Sequence, residues 1–472
     1  MRHKEKRLSL AAIWFATICL MPLAGRGQNG EDERLLHWHQ WRGPLATGFA
    51  PHGDPPIRWD ENTNIRWKAP LPGRGTCTPV IWGDRIFIVT AIETDRVAEP
   101  APEIAGSAGS GDRAGSGEPR TTRGGGRKAP TQSIQFVVLC LDRETGRILW
   151  RDVAAEVVPH QGHHPTNSFA AASPVTDGRY VYCWFGSRGL FCYDMQGKRA
   201  WQVDLGDFDI KFGFGEGSSP ALHEDTLVVK CDHERESFIT ALSAAIGRAK
   251  WKTIRDEQST WNTPLVALRP AFQDATGGKQ RLQVIVTGAQ STQGYDFQTG
   301  EPIWKYLGRP GVDAIPSPLR LDDLAICTSG FRGDPAYAVP LDSFGELTDE
   351  SIEWKHTEGT PQISTPALVG ERLYFIKGRR GILTCLNART GRVIIDQARL
   401  PGLDDIYASP VAAADRVYLT DRDGTTVVIG AAADDARVLA ENQLDETIHG
   451  SAAIAGREIF IRGESHLYCI AE

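Results

Sequence analysis

The chain has 472 residues, with 52 Lys and Arg against 59 Asp and Glu, for a formal charge of −7. An acidic surface of this kind lacks the basic footprint of a nucleic-acid binder and is not drawn to anionic membranes. The length would hold two or three ordinary domains, but repeats run through almost all of it, and a repeat architecture overrides the length prior.

At the start, Arg2, Lys4, Lys6 and Arg7 precede an apolar run from Leu8 to Ala24, followed by Gly25 and Gly27. This is the pattern of a secretory signal peptide over residues 1–27, too short and wrongly flanked for a transmembrane helix. An uncleaved anchor is the competing reading. Cys19 lies inside the apolar run without a lipobox, so no lipid anchor is expected. With residues 1–27 removed, five Lys/Arg and one Glu are lost and the remaining chain carries −11. The expected address is periplasmic or extracellular, for a secreted monomer with no transmembrane segment after cleavage.

Residues 28–58 form an N-terminal extension. From 59 onward a unit recurs, with starts at Thr78-Pro79, Ser173-Pro174, Ser219-Pro220, Thr263-Pro264, Ser317-Pro318, Thr365-Pro366, Ser409-Pro410 and a degenerate Ser451-Ala452. Five units close on Trp150, Trp201, Trp251, Trp304 and Trp354; two close on Ile395 and Leu439 instead. Within the second unit, Asp177-Gly178 and Gln196-Gly197 turn between alternating strands, which is a strong hairpin signal. A period of roughly 42 to 54 residues built of strands indicates a β-propeller. The tryptophans are read as packing groups between blades, not as ligand contacts.

The last unit, Ser451 to Ile470, supplies three strands and stops, while Asn64-Ile65-Arg66-Trp67 is a spare strand near the chain start. Pairing the two closes an eight-bladed ring with no free edge, over residues 59–472. A seven-bladed ring with a loose terminus is the alternative. Residues 98–133 are Gly/Ser/Ala/Pro/Arg-rich and cannot bury a core, so they read as a disordered insertion in blade 1. Of the eight cysteines after residue 27, Cys140, Cys192, Cys385 and Cys469 repeat one strand position in separate blades, too far apart for a disulfide. Buried free thiols are expected, with Cys183–Cys192 as the one possible pair.

The repeat, exemplified by Leu139-Cys140-Leu141-Asp142-Arg143-Glu144-Thr145-Gly146-Arg147-Ile148-Leu149-Trp150, resembles the pyrroloquinoline-quinone-type (PQQ-like) motif L-x-C/A-L-D-x-x-T-G-x-x-x-W. The chain is similar to the all-β, eight-bladed propellers of quinoprotein dehydrogenases and of BamB-type outer-membrane assembly proteins. Its Trp38-His39-Gln40-Trp41-Arg42-Gly43-Pro44 opening also resembles a group of exported PQQ-like propellers. That resemblance implies either a scaffold for an envelope partner or a dehydrogenase using PQQ with calcium.

A four-stranded meander puts the connections into strand one and the turns between strands two and three on one face. In this chain that face carries the long segments, so the site is expected there. The candidate binding residues are His160, His163, His164, Asn167, Asp209, Glu216, Trp261, Arg332, Tyr407 and His449. Arg188, Arg332, Arg379, Arg380, Arg422 and Arg462 lie on the facing turns, and the whole is read as a polar funnel in which the arginines either recognise a ligand or pair with loop acids. Three histidines within residues 160–164 are a possible metal set, but no helical spacing orients them; backbone capping by His160 and Asn167 is preferred. No Cys-Cys pair, Cys-x-x-Cys-His haem site, phosphate loop, Gly-x-Ser-x-Gly elbow or His-Glu-x-x-His is present. The expectation is a non-catalytic binding or scaffold propeller without cofactor, engaging a protein or glycan of the cell envelope. A quinone- or metal-dependent oxidoreductase is the alternative.

Overall fold

In a computed structural model of the chain, the described residues are 32–97, 127–270, 281–308, 313–331, 335–378 and 380–472. The signal-peptide pattern, most of the blade 1 insertion, Arg332 and Arg379 lie outside them. Among the described residues the fold is all β apart from four short 3-10 turns. Eight separate sheets, each a four-stranded antiparallel meander, form the blades of a propeller; two carry a fifth strand.

The ring closes as the spare strand requires. Ile65–Pro70 pairs antiparallel with His466–Ile470 and becomes the outer strand of blade 8. The strands of blade 1 run longer than the composition suggested: Arg85–Val97 pairs with Gln132–Asp142, so the third strand begins inside the range read as disordered. All eight described cysteines are free and buried. Cys183 and Cys192 cannot pair because Cys192 opposes Tyr182, one residue away, so the two thiols leave opposite faces of the blade.

The apolar core is a set of layers between adjacent blades. Two devices lock these layers. Around the axis, the residue opening each blade donates its backbone N–H to the Ser/Thr hydroxyl opening the next. The chain runs Thr78 to Ser173, Ser219, Thr263, Ser317, Thr365, Ser409 and Ser451, with all seven bonds at 2.9–3.1 Å. The proline that follows has no N–H and holds the residue before it extended, so one donor per blade needs a partner and the next blade supplies it. The circle stops at the seam: the hydroxyl of Thr78 is buried without a partner.

On the outside, a tryptophan reaches across to the next blade. Trp67, Trp150, Trp201, Trp251 and Trp354 donate their indole N–H to the carbonyls of Arg143, Met195, Ala244, Phe297 and Ala388, at 2.9–3.0 Å. Each ring lies over the glycine of a turn; at Gly300, with φ +75°, an added Cβ would sit 2.4 Å from Trp251. The Asp-x-x-Thr-Gly turn therefore needs glycine twice over, for its left-handed backbone and for the ring above it.

Two tryptophan assignments need correction. Trp304 holds the expected register opposite Gly294 but folds over its own sheet, donating to Gln283 Oε1 at 2.9 Å. The corresponding segment of blade 5, Gly345–Leu347, instead pairs parallel with the Trp304 strand. In blade 7 the residue equivalent to Trp150 is Ala440, opposite Val428; Leu439 falls at the bulge. The vacant place is filled by Trp59 from the N-terminal segment, which stacks on Tyr418 with centroids 6.2 Å apart, much as Trp201 meets Tyr182 at 5.9 Å.

Trp201→Ala should cost about 3–5 kcal/mol in chemical denaturation, because it removes both the ring and its bond to the next blade. Gly430→Ala, where an added Cβ meets nothing within 4 Å, serves as the near-neutral control. A chain lacking everything up to residue 70 should lose cooperative melting, since it opens two sheet edges at the seam.

Candidate functional site

The N-terminal segment crosses the axis on the short-turn face. The carbonyls of Trp38, His39, Thr47 and Gly48 accept N–H groups of Ile81, Thr176, Leu368 and Ala412, on the inner strands of blades 1, 2, 6 and 7, at 2.7–3.0 Å. Phe49–Ala50 then adds a parallel strand to blade 7. Arg42 is the peg of this crossing. Fully buried, it donates to the carbonyls of Pro366 and Pro410 at 2.8 and 2.6 Å, and burial without a counter-charge pushes its guanidinium down to about 9. Gly43 adopts φ +77°, and an added Cβ there would stand 2.8 Å from the Trp38 ring. Trp41 turns upward and donates to the belt hydroxyl of Ser317 at 3.2 Å.

Trp41 thus floors a blind funnel of about 560 Å³ that opens on the long-loop face. Aromatic rings dominate its wall: Phe212, Phe214, Trp261, Phe331 and Tyr407. Phe212 is half exposed and sits at φ +52°, a conformation a bulky side chain rarely adopts. Its neighbour Lys211 is fixed by an ion pair to Asp313 at 2.8 Å, both side chains being less than a fifth exposed. Trp261 donates its indole N–H to Gly215 O at 2.7 Å. The belt residues Ser173, Ser219, Thr263, Ser317, Thr365, Ser409 and Ser451 also line the funnel.

Five of the ten sequence-derived candidates meet here: His164, Asn167, Trp261, Tyr407 and His449. Asn167 donates to the carbonyls of Phe214 and Glu216 at 3.0 and 3.2 Å, tying two loops together. His164 Nδ1 is spent locally, against Thr166 Oγ1 and N at 2.7 and 3.2 Å. His449 lies edge-on to Tyr407, and its buried Nδ1 has no partner. Burial lowers the imidazoles of both histidines, that of His449 to about 4.

Four candidates lie elsewhere. His160 and Glu216 line a narrow cleft between blades 2 and 3, with Arg188 and Ser187. His160 Nε2 contacts Phe208 O at 3.1 Å, Asp209 pairs with Arg235, and His163 packs edge-on against Phe169. Glu216 accepts from Ser187 N and Oγ at 3.0 and 2.7 Å; burial outweighs those bonds and lifts its carboxyl to about 7. The tenth, Arg332, is outside the described residues. The turn arginines are largely committed to loop acids, as with Arg188–Asp207 and Arg422–Asp405. Arg462 is buried against Cys77 Sγ and Val89 O. The funnel is therefore more aromatic and less charged than the sequence suggested. The decisive residue not foreseen is Trp41; its signal was the Trp-x-Gln-Trp-Arg-Gly-Pro opening, which carries no information about where the segment docks.

No group of three or more His, Cys, Asp or Glu side chains capable of holding a metal occurs among the described residues. Calcium requires six to eight oxygen ligands, whereas the described funnel wall offers one carboxylate, Asp313, already bound to Lys211. The described residues do not fit a calcium-dependent quinone site.

A family model described as outer membrane protein assembly factor BamB matches residues 135–397 and 349–472. No curated protein matches the sequence. Among solved structures, the quinohemoprotein alcohol dehydrogenase from Comamonas testosteroni is 10% identical, with 93% of this chain and 81% of that one covered and a TM-score of 0.58. A quinohemoprotein alcohol dehydrogenase from Pseudomonas putida HK5 is 11% identical, covering 93% and 80%, with a TM-score of 0.56. BamB from Moraxella catarrhalis is 13% identical, covering 81% and 99%, with a TM-score of 0.48. At these identities the structural likeness concerns the fold.

Gly43→Ala should lower stability by about 1–3 kcal/mol through its clash with Trp38 and its left-handed backbone. Glu216→Gln tests the buried carboxyl. Its folded pKa is raised above the unfolded value, so its contribution is present below about 4.5 and lost as pH rises through about 7. The variant should therefore gain on the parent in denaturation experiments as pH rises across that window; a difference independent of pH would refute the assignment.

Proposed function

Because the chain belongs to the PQQ-like propeller family described by the outer membrane protein assembly factor BamB, we propose that it is an exported, non-catalytic binding propeller. In this reading the funnel and its rim hold a protein or glycan of the cell envelope. The observation that carries it is the blind, aromatic-walled funnel whose one described ion pair neutralises itself. Lys211 and Asp313 neutralise each other, and His164 is held by Thr166. An imidazole at about 4 is a weak base at neutral pH, so His449 is badly matched to general acid–base work. Rigid rings and satisfied polar groups suit recognition, where pre-ordered side chains lose little entropy on binding. Export rests on the Arg2–Ala24 pattern of the sequence.

Affinity capture from an envelope extract tests this reading. Changing Trp261 and Tyr407 together to Ala should reduce capture about tenfold or more, while Asp177→Asn and Lys198→Ala, on the short-turn face, should leave it unchanged. Equal loss from the two sets would place binding elsewhere. Reduction of an artificial electron acceptor by the protein supplied with quinone and calcium would replace this reading with the oxidoreductase one.

A further inference from the structure

The seven belt hydroxyls that line the funnel carry an unspent resource. Each accepts an N–H from the preceding blade, which leaves its own O–H proton to give. None of the seven donates to a protein acceptor among the described residues. All are more than nine-tenths buried, with exposures between 1% and 8%. The floor is therefore a circle of hydrogen-bond donors, crossed by the Trp41 ring.

Above that circle the chemistry changes to broad apolar faces, from Phe212, Phe214, Trp261, Phe331 and Tyr407. The one described cation in the wall, Lys211, is neutralised by Asp313. An anion would find no uncommitted positive charge among the described residues that line the funnel. A purely apolar chain would bury the donors unpaired, at a cost for each. What satisfies both layers is a neutral molecule whose flat C–H faces stack on rings while its rim carries many oxygen acceptors. The cavity volume lies within the ordinary range for small-molecule sites.

We infer that the funnel binds a neutral glycan, one sugar ring seated over Trp41 with its oxygens on the belt hydroxyls and its faces against Phe212 and Trp261. This rests on the reading of the funnel as the binding site and narrows its occupant. Phe212 is the specificity element: its left-handed backbone, held beside the Lys211–Asp313 pair, keeps the ring half exposed in the funnel wall. No covalent step is involved.

Titration of the full chain with maltotriose, cellotriose and triacetylchitotriose, read by tryptophan fluorescence and calorimetry, tests the inference. At least one should bind saturably, and Phe212→Ala should weaken it about tenfold without changing the melting temperature. The fluorescence response should shrink in Trp41→Phe and vanish when Trp261 is changed to Phe as well. A trimer of galacturonic acid and a blocked tryptophan amide are the comparators. If none of the three neutral trisaccharides binds up to ~10 mM while a comparator binds in a Phe212-dependent way, the glycan inference falls and the funnel reading stands. If nothing binds, and envelope capture is indifferent to Phe212→Ala, both fall.

Discussion

Each of the first seven blades opens with a backbone N–H that points along no sheet ladder, and the hydroxyl of the next blade answers it. The seven bonds of this belt hold the inner strands at one radius, and every other feature is arranged around that radius. An unanswered buried N–H costs more than a made bond gains, so the belt penalises any change in blade spacing. The tryptophans work at the periphery in the same sense: with the inner edges fixed, an indole reaching over the next turn sets the angle between neighbouring sheets. Propeller geometry here is thus a matter of polar satisfaction at the axis and ring packing at the rim, with apolar layers filling what lies between.

At the seam the belt is incomplete, and other contacts take over. Arg143 pairs with Glu458 across blades 1 and 8, and Arg462 donates to Val89 O at 2.6 Å. The N-terminal strand contributes Trp67, whose indole bonds to Arg143 O. One junction is therefore fastened by charge and strand pairing where the other seven use hydroxyls. Elsewhere, burial of charge is compensated locally: Lys230, Asp232 and Arg255 form a fully buried group in blade 3.

The strands, the eightfold count and the closing strand were legible because they rest on local rules: Asp-Gly and Thr-Gly turns, alternation, and a regular tryptophan. What escaped depends on contacts distant in sequence. Leu439 was chosen over Ala440 because a bulge residue cannot be seen without the register, and Trp59 could not be known to fill the gap. At the site, loop length pointed to the face on which the funnel opens. It could not tell which loop side chains turn inward. His164, Trp261, Tyr407 and His449 do; His160, Asp209 and Glu216 turn toward the cleft between blades 2 and 3 and the ion pairs around it. Trp41 was hidden for a simpler reason, since nothing in residues 38–44 says that Trp41 meets Ser317, 276 positions later.

That docking has a consequence in time. Thr47 and Gly48 take their bonds from Leu368 and Ala412, in blades 6 and 7, and Ile65–Pro70 waits for His466–Ile470. During vectorial synthesis Trp38 and His39 can dock on blades 1 and 2 early, but residues 47–50 and 65–70 stay unanchored until the last blades exist, and loop-closure entropy makes such distant contacts slow to form. Blades 1 to 5 can assemble beforehand as an open arc with a bare edge on each side. The floor of the funnel is then laid only as the circle shuts, so that a molecule able to bind there reports on a finished ring.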